Sequence, residues 1–207
     1  AVVVAGSGED SAGHVAFTVP TSAFELRPVQ GLDPDLGLVE VTGAFGPDQA
    51  APRQGADWER AVALGQLALA HELVGAARAM LELARQHALG RIQFGRPIAS
   101  FQAVRHRLAE SLVAVESAAG LLAAAWEDPA PATAAMAKGF AGRSARTVAR
   151  HAQQVLAGIG FTTEHPLHTY VRRTLVLDQL LGAGAVLTRE LGAEVLRTGS
   201  LPAAIPL

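Results

Sequence analysis

The chain has 207 residues, of which 50% are hydrophobic and 17% are charged, and it contains no cysteine. This length and composition suffice for a hydrophobic core and exclude a disordered chain. The formal net charge of −2 provides no basic surface for nucleic acid. The lack of cysteine excludes disulfides, thiolate metal sites and cysteine nucleophiles. No apolar run reaches the roughly 20 residues of a membrane span, so we expect a cytoplasmic protein with no membrane partner.

The first part of the chain predicts short β-strands. Four segments are β-branched or alternate between apolar and polar residues, with turn residues between them: 2–5, 14–19, 24–29 and 38–41. Four such strands leave open edges that need cover. We therefore interpret residues 1–50 as the remnant of a β-domain whose earlier strands are absent from this sequence.

Residues 51–207 predict a helical domain. Asp57 or a neighbour can cap a long helix whose apolar residues recur every three or four positions, and Gly90 can end it. Further helical segments follow at about 100–126, 132–156 and 166–197, the last with a break at 182–184. Helices of this length with short connections predict an antiparallel bundle, so the fold class is mainly α.

Two connections between helices carry residues suited to cofactor binding. In the first, Arg91 follows the end of a helix and Gln102 lies in the first turns of the next. An arginine fork can hold a pyrophosphate beside a glutamine amide, although Arg91 can also simply complement the helix dipole. In the second, at 153–161, small residues allow a cofactor or another backbone to come close, or form an ordinary glycine cap.

Together these segments resemble the C-terminal half of the acyl-CoA dehydrogenase family. The family's Arg-x-x-Phe-Gly motif corresponds to 91–95, and its Phe-Gln-Ala-Val helix start to 101–104. Its Gln-x-x-Gly-Gly-x-Gly-Phe motif corresponds to 154–161, with Ala157 in place of the first glycine of the pair. Residues 163–173 look like the actinobacterial branch, which includes sterol-degrading enzymes.

The resemblance implies that the bundle binds FAD at a subunit interface and forms the core of an oligomer. Arg91 and Gln102 would reach the FAD of a neighbouring subunit near its pyrophosphate, Phe94 would pack against the cofactor, and 154–158 would contact its adenosine portion. The residues so assigned to FAD are Arg91, Phe94, Gln102, Gln154, Val155, Ala157 and Gly158. No metal site is expected, and the pair His165 and His168 is interpreted as structural.

The resemblance assigns no catalytic residue to this chain. Dehydrogenation of a thioester needs a carboxylate that removes the α-proton while hydride leaves the β-carbon for the flavin. The two positions at which the family carries its catalytic Glu correspond to Leu181 and Gly65, and neither can take a proton. Glu72, Glu59 and Asp178 lie nearby. Asp178 is the least unfavourable of these, but each is more simply a solvated or capping acid.

Three hypotheses stay open. The first is the non-catalytic subunit of a hetero-oligomeric FAD-dependent acyl-CoA dehydrogenase, in which a homologous catalytic subunit of a heterotetramer supplies the base for an acyl-CoA substrate such as a sterol-derived one. The second is a self-sufficient, homo-oligomeric dehydrogenase whose N-terminal part is missing here. The third is a helical scaffold that has lost flavin.

Overall fold

The computed structural model describes residues 2–6, 14–46, 48, 51–52 and 57–200. Two compact units are present, Ala1–Ala61 and Val62–Leu207. The domain limits expected from the sequence, 1–50 and 51–207, stay a prediction.

The described residues of the first unit form two small antiparallel sheets. One has three strands in the order β1-β2-β5, with Val2 opposite Thr18 and Phe17 opposite Pro52. The other is a two-stranded ribbon of β3 and β4. The five strands are β1 (Val2–Gly6), β2 (His14–Thr18), β3 (Glu25–Pro28), β4 (Val39–Thr42) and β5 (Ala51–Pro52). The four predicted strands are confirmed, whereas β5 was not predicted.

Aromatic contacts form the described part of the small core in this unit. Phe45 packs against Phe17 and Phe24, with ring centroids 6.3 and 6.1 Å away, and Val19 is fully buried. By contrast, every residue of β3 and β4 is exposed.

The predicted helical bundle is confirmed. Its helices in the described residues are α1 (Trp58–Gly90), α2 (Gln102–Glu127), α3 (Pro131–Leu156), α4 (Leu167–Gln179) and α5 (Gly184–Thr198). Asp57 caps α1, because its Oδ1 accepts a hydrogen bond from the backbone N–H of Arg60 at 2.9 Å. Pro131 begins α3, where a proline sacrifices no helical hydrogen bond.

Side-chain pairs show that α1 and α2 are antiparallel. Arg78 of α1 forms a salt bridge to Glu116 of α2 at 3.1 Å. About two turns earlier on α1, His71 Nε2 accepts a hydrogen bond of 2.6 Å from Trp126 Nε1, which lies further along α2. Residue numbers therefore fall along α2 as they rise along α1, as a short connection requires.

Helix α3 lies at the centre of the second unit, where it contacts α2, α4 and α5. Most of the residues that it buries are small, so neighbouring helices approach closely. Those with at most 1% exposure include Ala134, Ala137, Ala141, Ala145, Val148 and Ala152.

Helix α2 is long and apolar enough to cross a membrane by length and composition alone, a property that the sequence analysis did not anticipate. The core helix of a bundle can have the same length and composition, so this property does not by itself indicate a membrane span. Only 28% of its most apolar window is buried within this chain, which leaves apolar side chains such as Val113 uncovered.

The end of α3 has an unusual backbone conformation. Ala157 has φ 53° and ψ −136°, a combination that glycine adopts readily and that is unfavourable for a residue with a Cβ. This explains why a glycine is usual here in the family that the sequence resembles. Gly160, one turn further, is also required, because a Cβ there would lie 2.8 Å from Leu156 Cβ.

A histidine connects α2 to α3. Ser111 Oγ donates to the backbone oxygen of Arg107 at 2.7 Å, so it accepts its second hydrogen bond, of 3.1 Å, from His151 Nδ1. Burial lowers the pKa of His151, against the opposing effect of Glu110, whose carboxylate lies 3.6 Å from Nε2. Arg150 lowers this pKa further.

We expect Ala157→Gly to raise the free energy of unfolding by about 1 kcal/mol, because it removes the strain of a Cβ at a positive φ. Denaturant unfolding measures the change. Ala152→Gly, inside α3, is the matched control and should lower the same free energy by about 1 kcal/mol or more. Equal losses in the two variants would contradict the strain at Ala157.

The free energy of unfolding should fall as the pH drops from about 7.5 to about 5.5. Burial, then the charges of Arg91 and His165, lower the pKa of His87, and that of His151 is also lowered. In this window the unfolded chain therefore binds more protons than the folded one. Urea unfolding across the window should show a shallower pH dependence for His151→Gln. Replacing the exposed His106 with Gln is the control and should keep the slope.

Candidate functional site

The connection between α1 and α2 is a small hairpin that presents Phe94. Strands β6 (Ile92–Gln93) and β7 (Arg96–Pro97) pair antiparallel, and Phe94 and Gly95 form the turn with φ values of 54° and 76°. Two consecutive positive φ values are those of a tight hairpin turn. Phe94 is 90% exposed, so a large apolar side chain is held out from the bundle on a defined support.

Backbone hydrogen bonds fix the base of this hairpin. The N–H of Arg91 donates to His87 O at 2.8 Å, and Arg91 O accepts from the N–H of Ile98 at 2.9 Å. The guanidinium of Arg91 belongs to an exposed residue. The predicted placement of Arg91 at the C-terminal end of a helix is therefore observed.

The start of α2 lies against the hairpin. Phe101 contacts Phe94 edge to face at a centroid distance of 6.0 Å, and the Arg96 guanidinium lies 4.4 Å from the Phe101 ring centre. Gln102, the first residue of α2, is exposed and lines a hollow of about 480 Å³ together with Arg105 and His106. This end of α2 offers an amide and cationic groups to a ligand or a partner.

The second predicted segment, at the end of α3, is mostly exposed. Gln154, Ala157 and Gly158 face solvent, and a Cβ added to Gly158 would meet no atom within 4 Å. Phe161 is 71% exposed. Val155 differs, because its side chain is 5% exposed and belongs to the core. Any contact that Val155 makes outside the bundle must therefore use its backbone.

The histidines at the start of α4 serve the backbone. His165 Nδ1 accepts from the N–H of Leu167 at 3.1 Å, and His168 Nδ1 lies 2.8 Å from His165 O. Within the described ranges, no cluster of three or more His, Asp and Glu side chains could hold a metal ion. The charge of His165 acts on His87, so this segment and the end of α1 are neighbours.

The two positions at which the sequence suggested that a base was missing lie against each other. A Cβ added to Gly65 on α1 would be 2.5 Å from Leu181 Cδ1, in the turn that follows α4. Gln66 Nε2 donates to Leu181 O at 2.9 Å. Leu181 has φ 52° and Gly182 has φ 103°. The space beside Gly65 is thus occupied by the side chain of Leu181.

The nearby carboxylates are engaged elsewhere or exposed. Glu72 forms a 2.7 Å salt bridge with Arg173 between α1 and α4, and Glu59 is exposed in the first turn of α1. Asp178 is 4% exposed, and its Oδ2 pairs with Arg146 of α3. Asp178 is therefore buried against α3 and paired there with a guanidinium group.

Sequence reasoning missed the residue that faces this end of α4. Lys138 of α3 is fully buried, and its Nζ donates to Asp178 O at 2.7 Å and to Gly182 O at 2.5 Å. The available signal was that Lys138 is the only lysine of the chain and lies among small apolar residues of a helix.

A family model described as acyl-CoA dehydrogenase, C-terminal domain, matches residues 57–196. Acyl-CoA dehydrogenase IpdE2 of Mycobacterium tuberculosis is 35% identical over 176 residues, which cover 83% of this chain and 52% of that protein. The chain spans about half the length of the curated relatives it matches first.

Solved structures agree with this relationship. The ChsE4-ChsE5 complex of Mycobacterium tuberculosis matches with a TM-score of 0.79 and 29% identity, over 96% of this chain and 56% of that one. Butyryl-CoA dehydrogenase of Megasphaera elsdenii gives a TM-score of 0.82 at 23% identity, over 95% and 55%, and shows the common fold. The bundle, its hairpin and its sequence motifs therefore place the chain in the acyl-CoA dehydrogenase family, with that family's C-terminal helical domain.

Proposed function

We propose that this chain is a subunit of an FAD-dependent acyl-CoA dehydrogenase that contributes FAD-binding residues at a subunit interface while a homologous partner subunit supplies the catalytic Glu. The contact between Gly65 and Leu181 is the observation that supports the proposal. The resemblance assigns the two base positions of the family to these residues, and neither carries a carboxylate. FAD supplies the acceptor for the hydride that leaves the β-carbon of the acyl thioester.

The exposed end of the bundle supports a role in binding FAD. Phe94 and Phe161 are large apolar side chains with 90% and 71% exposure, and exposed apolar groups held on defined backbone mark interaction sites. Arg91 and Gln102 provide a cation and an amide for a pyrophosphate, and the open space at Gly158 allows a flat group to approach the backbone. In the proposal, Gln154, Val155 and Ala157 complete this FAD surface.

The surface of α2 supports assembly with another subunit. Leu112 and Val113 are 52% and 65% exposed, and most of the helix's apolar window is not covered by this chain. A relative at 29% identity was solved as a complex of ChsE4 with ChsE5. We therefore favour a hetero-oligomer over a homo-oligomer.

The substrate class follows from the family and from one segment. An acyl-CoA thioester is the proposed substrate, and the resemblance of 163–173 to the sterol-degrading branch favours a sterol-derived acyl group. A self-sufficient enzyme is less well supported, because Asp178, its best candidate base, is buried against Arg146.

The assembly purified from the native host, with its co-purifying subunit attached, should show flavin absorption bands. In that assembly Arg91→Ala should lower the flavin content or weaken FAD affinity about tenfold or more, because a charge-assisted contact to the pyrophosphate is lost. Absorption spectra and FAD titration measure both quantities.

Arg78→Ala is the matched control, since Arg78 forms a salt bridge with Glu116 on the α1–α2 face, and it should keep the flavin. A preparation that stays colourless after FAD is added would contradict the proposal and favour the scaffold. Flavin bound by this chain without a second subunit would favour the self-sufficient enzyme.

Asp178→Asn should leave turnover per bound flavin unchanged and lower the free energy of unfolding by about 2 kcal/mol, because it breaks a largely buried ion pair. Steady-state kinetics and denaturant unfolding of the same preparation measure the two effects. Glu59→Gln, which alters an exposed acid, should change neither. Loss of turnover with flavin and stability retained would instead identify Asp178 as the base.

A further inference from the structure

The only lysine of the chain is buried and makes its hydrogen bonds to the protein backbone. Lys138 has no exposed surface, and its ammonium group donates to two backbone oxygens, Asp178 O near the end of α4 and Gly182 O in the turn after it. Asp178 O belongs to the last turn of α4, where the helix dipole favours a positive charge. Lys138 thus connects α3 to both sides of the turn that contains Leu181.

The backbone of that turn needs such support. Leu181 adopts a φ of 52°, which is unfavourable for a residue with a branched side chain. A conformation of this kind persists only where the surroundings determine it. Here α3 contributes Lys138, and α1 contributes the amide of Gln66, which donates to Leu181 O.

The charge of Lys138 lies in a buried cluster with one carboxylate and one guanidinium group. Asp178 is buried beside it and pairs with Arg146. Gly142 of α3 makes room for this carboxylate, since a Cβ there would overlap Asp178 Oδ1. Burial lowers the pKa of Lys138, the Asp178 charge opposes that effect, and the Arg146 charge lowers the pKa further. The small residues of α3 therefore make room for the buried charged groups, and these groups pack against the turn.

We propose that Lys138 is a positioning residue that holds the 180–183 turn so that the side chain of residue 181 lies against Gly65. This inference rests on the proposed function, in which residues 65 and 181 mark the base position of the family. Lys138 then determines the position of the Leu181 side chain at that site. This side chain fills the space that Gly65, with no side chain, leaves open.

The absence of cysteine permits a direct test of position. In the variant G65C/L181C, the leucine carbon that a Cβ at residue 65 would meet is removed, which leaves space between residues 65 and 181 for two thiol side chains. Equilibration of the full assembly with glutathione gives the effective concentration of one thiol at the other. We expect the disulfide to form, and K138M to lower that effective concentration about tenfold or more, since two charge-assisted hydrogen bonds are lost.

T174V, on α4, is the control for the loss of a buried polar group. Thr174 is 1% exposed, and its hydroxyl has no hydrogen-bond partner within the described part of the chain. T174V should leave the effective concentration unchanged. Should K138M fail to fold by circular dichroism, K138Q, whose side chain is one atom shorter and cannot reach both oxygens, replaces it with the same expected loss.

Two results would overturn the inference. Failure of G65C/L181C to form a disulfide would show that residue 181 is not held against residue 65. An unchanged effective concentration in the lysine variants would show that Lys138 does not hold the turn. Neither measurement depends on flavin, so this inference and the proposed function fail separately.

Discussion

The close approach of α3 to the end of α4 is the constraint on which the helical unit depends. Small residues on α3 bring the backbones near enough for Lys138 to reach two carbonyl oxygens of α4 and the following turn. A buried lysine is unfavourable unless it is hydrogen-bonded and attracted by an opposite charge. The two carbonyl oxygens accept its hydrogen bonds, and the charge of Asp178 raises its pKa against the effect of burial. Helix α5 begins at this same contact, because its first residue, Gly184, lies beside Gly139 of α3.

Much of the fold was predictable, because residues with strong preferences for helix ends stand at the ends of its helices. Asp57, Gly90 and Pro131 mark helix ends in the sequence, and each lies at or next to the corresponding end in the structure. The two-residue strands β5, β6 and β7 escaped prediction, since a strand that short is defined by its partner and not by an apolar pattern.

The candidate site was predictable in its parts but not in its arrangement. Spacing along the chain indicated that Gly65 and Leu181 are unusual positions, yet only the packing of α1 on α4 brings them into contact. Sequence distance also made Asp178 the nearest carboxylate to Leu181. The Asp178 side chain instead faces α3, because α4 ends at Gln179 and the backbone changes direction before Leu181, which has a φ of 52°. The sequence motif assigned Gln154 and Val155 to the same cofactor surface, whereas in the structure Gln154 is exposed and Val155 is buried in the core.

The solitary lysine has a consequence for the chemistry of the surface. Apart from His, all side-chain positive charge outside the buried cluster is carried by guanidinium groups, which stay protonated at any pH at which a protein is folded. Reagents that attack side-chain amines find none accessible in the folded state. Modification of Lys138 therefore requires the α3–α4 contact to open, so the extent of amine labelling at this one residue counts the molecules in which that contact has separated.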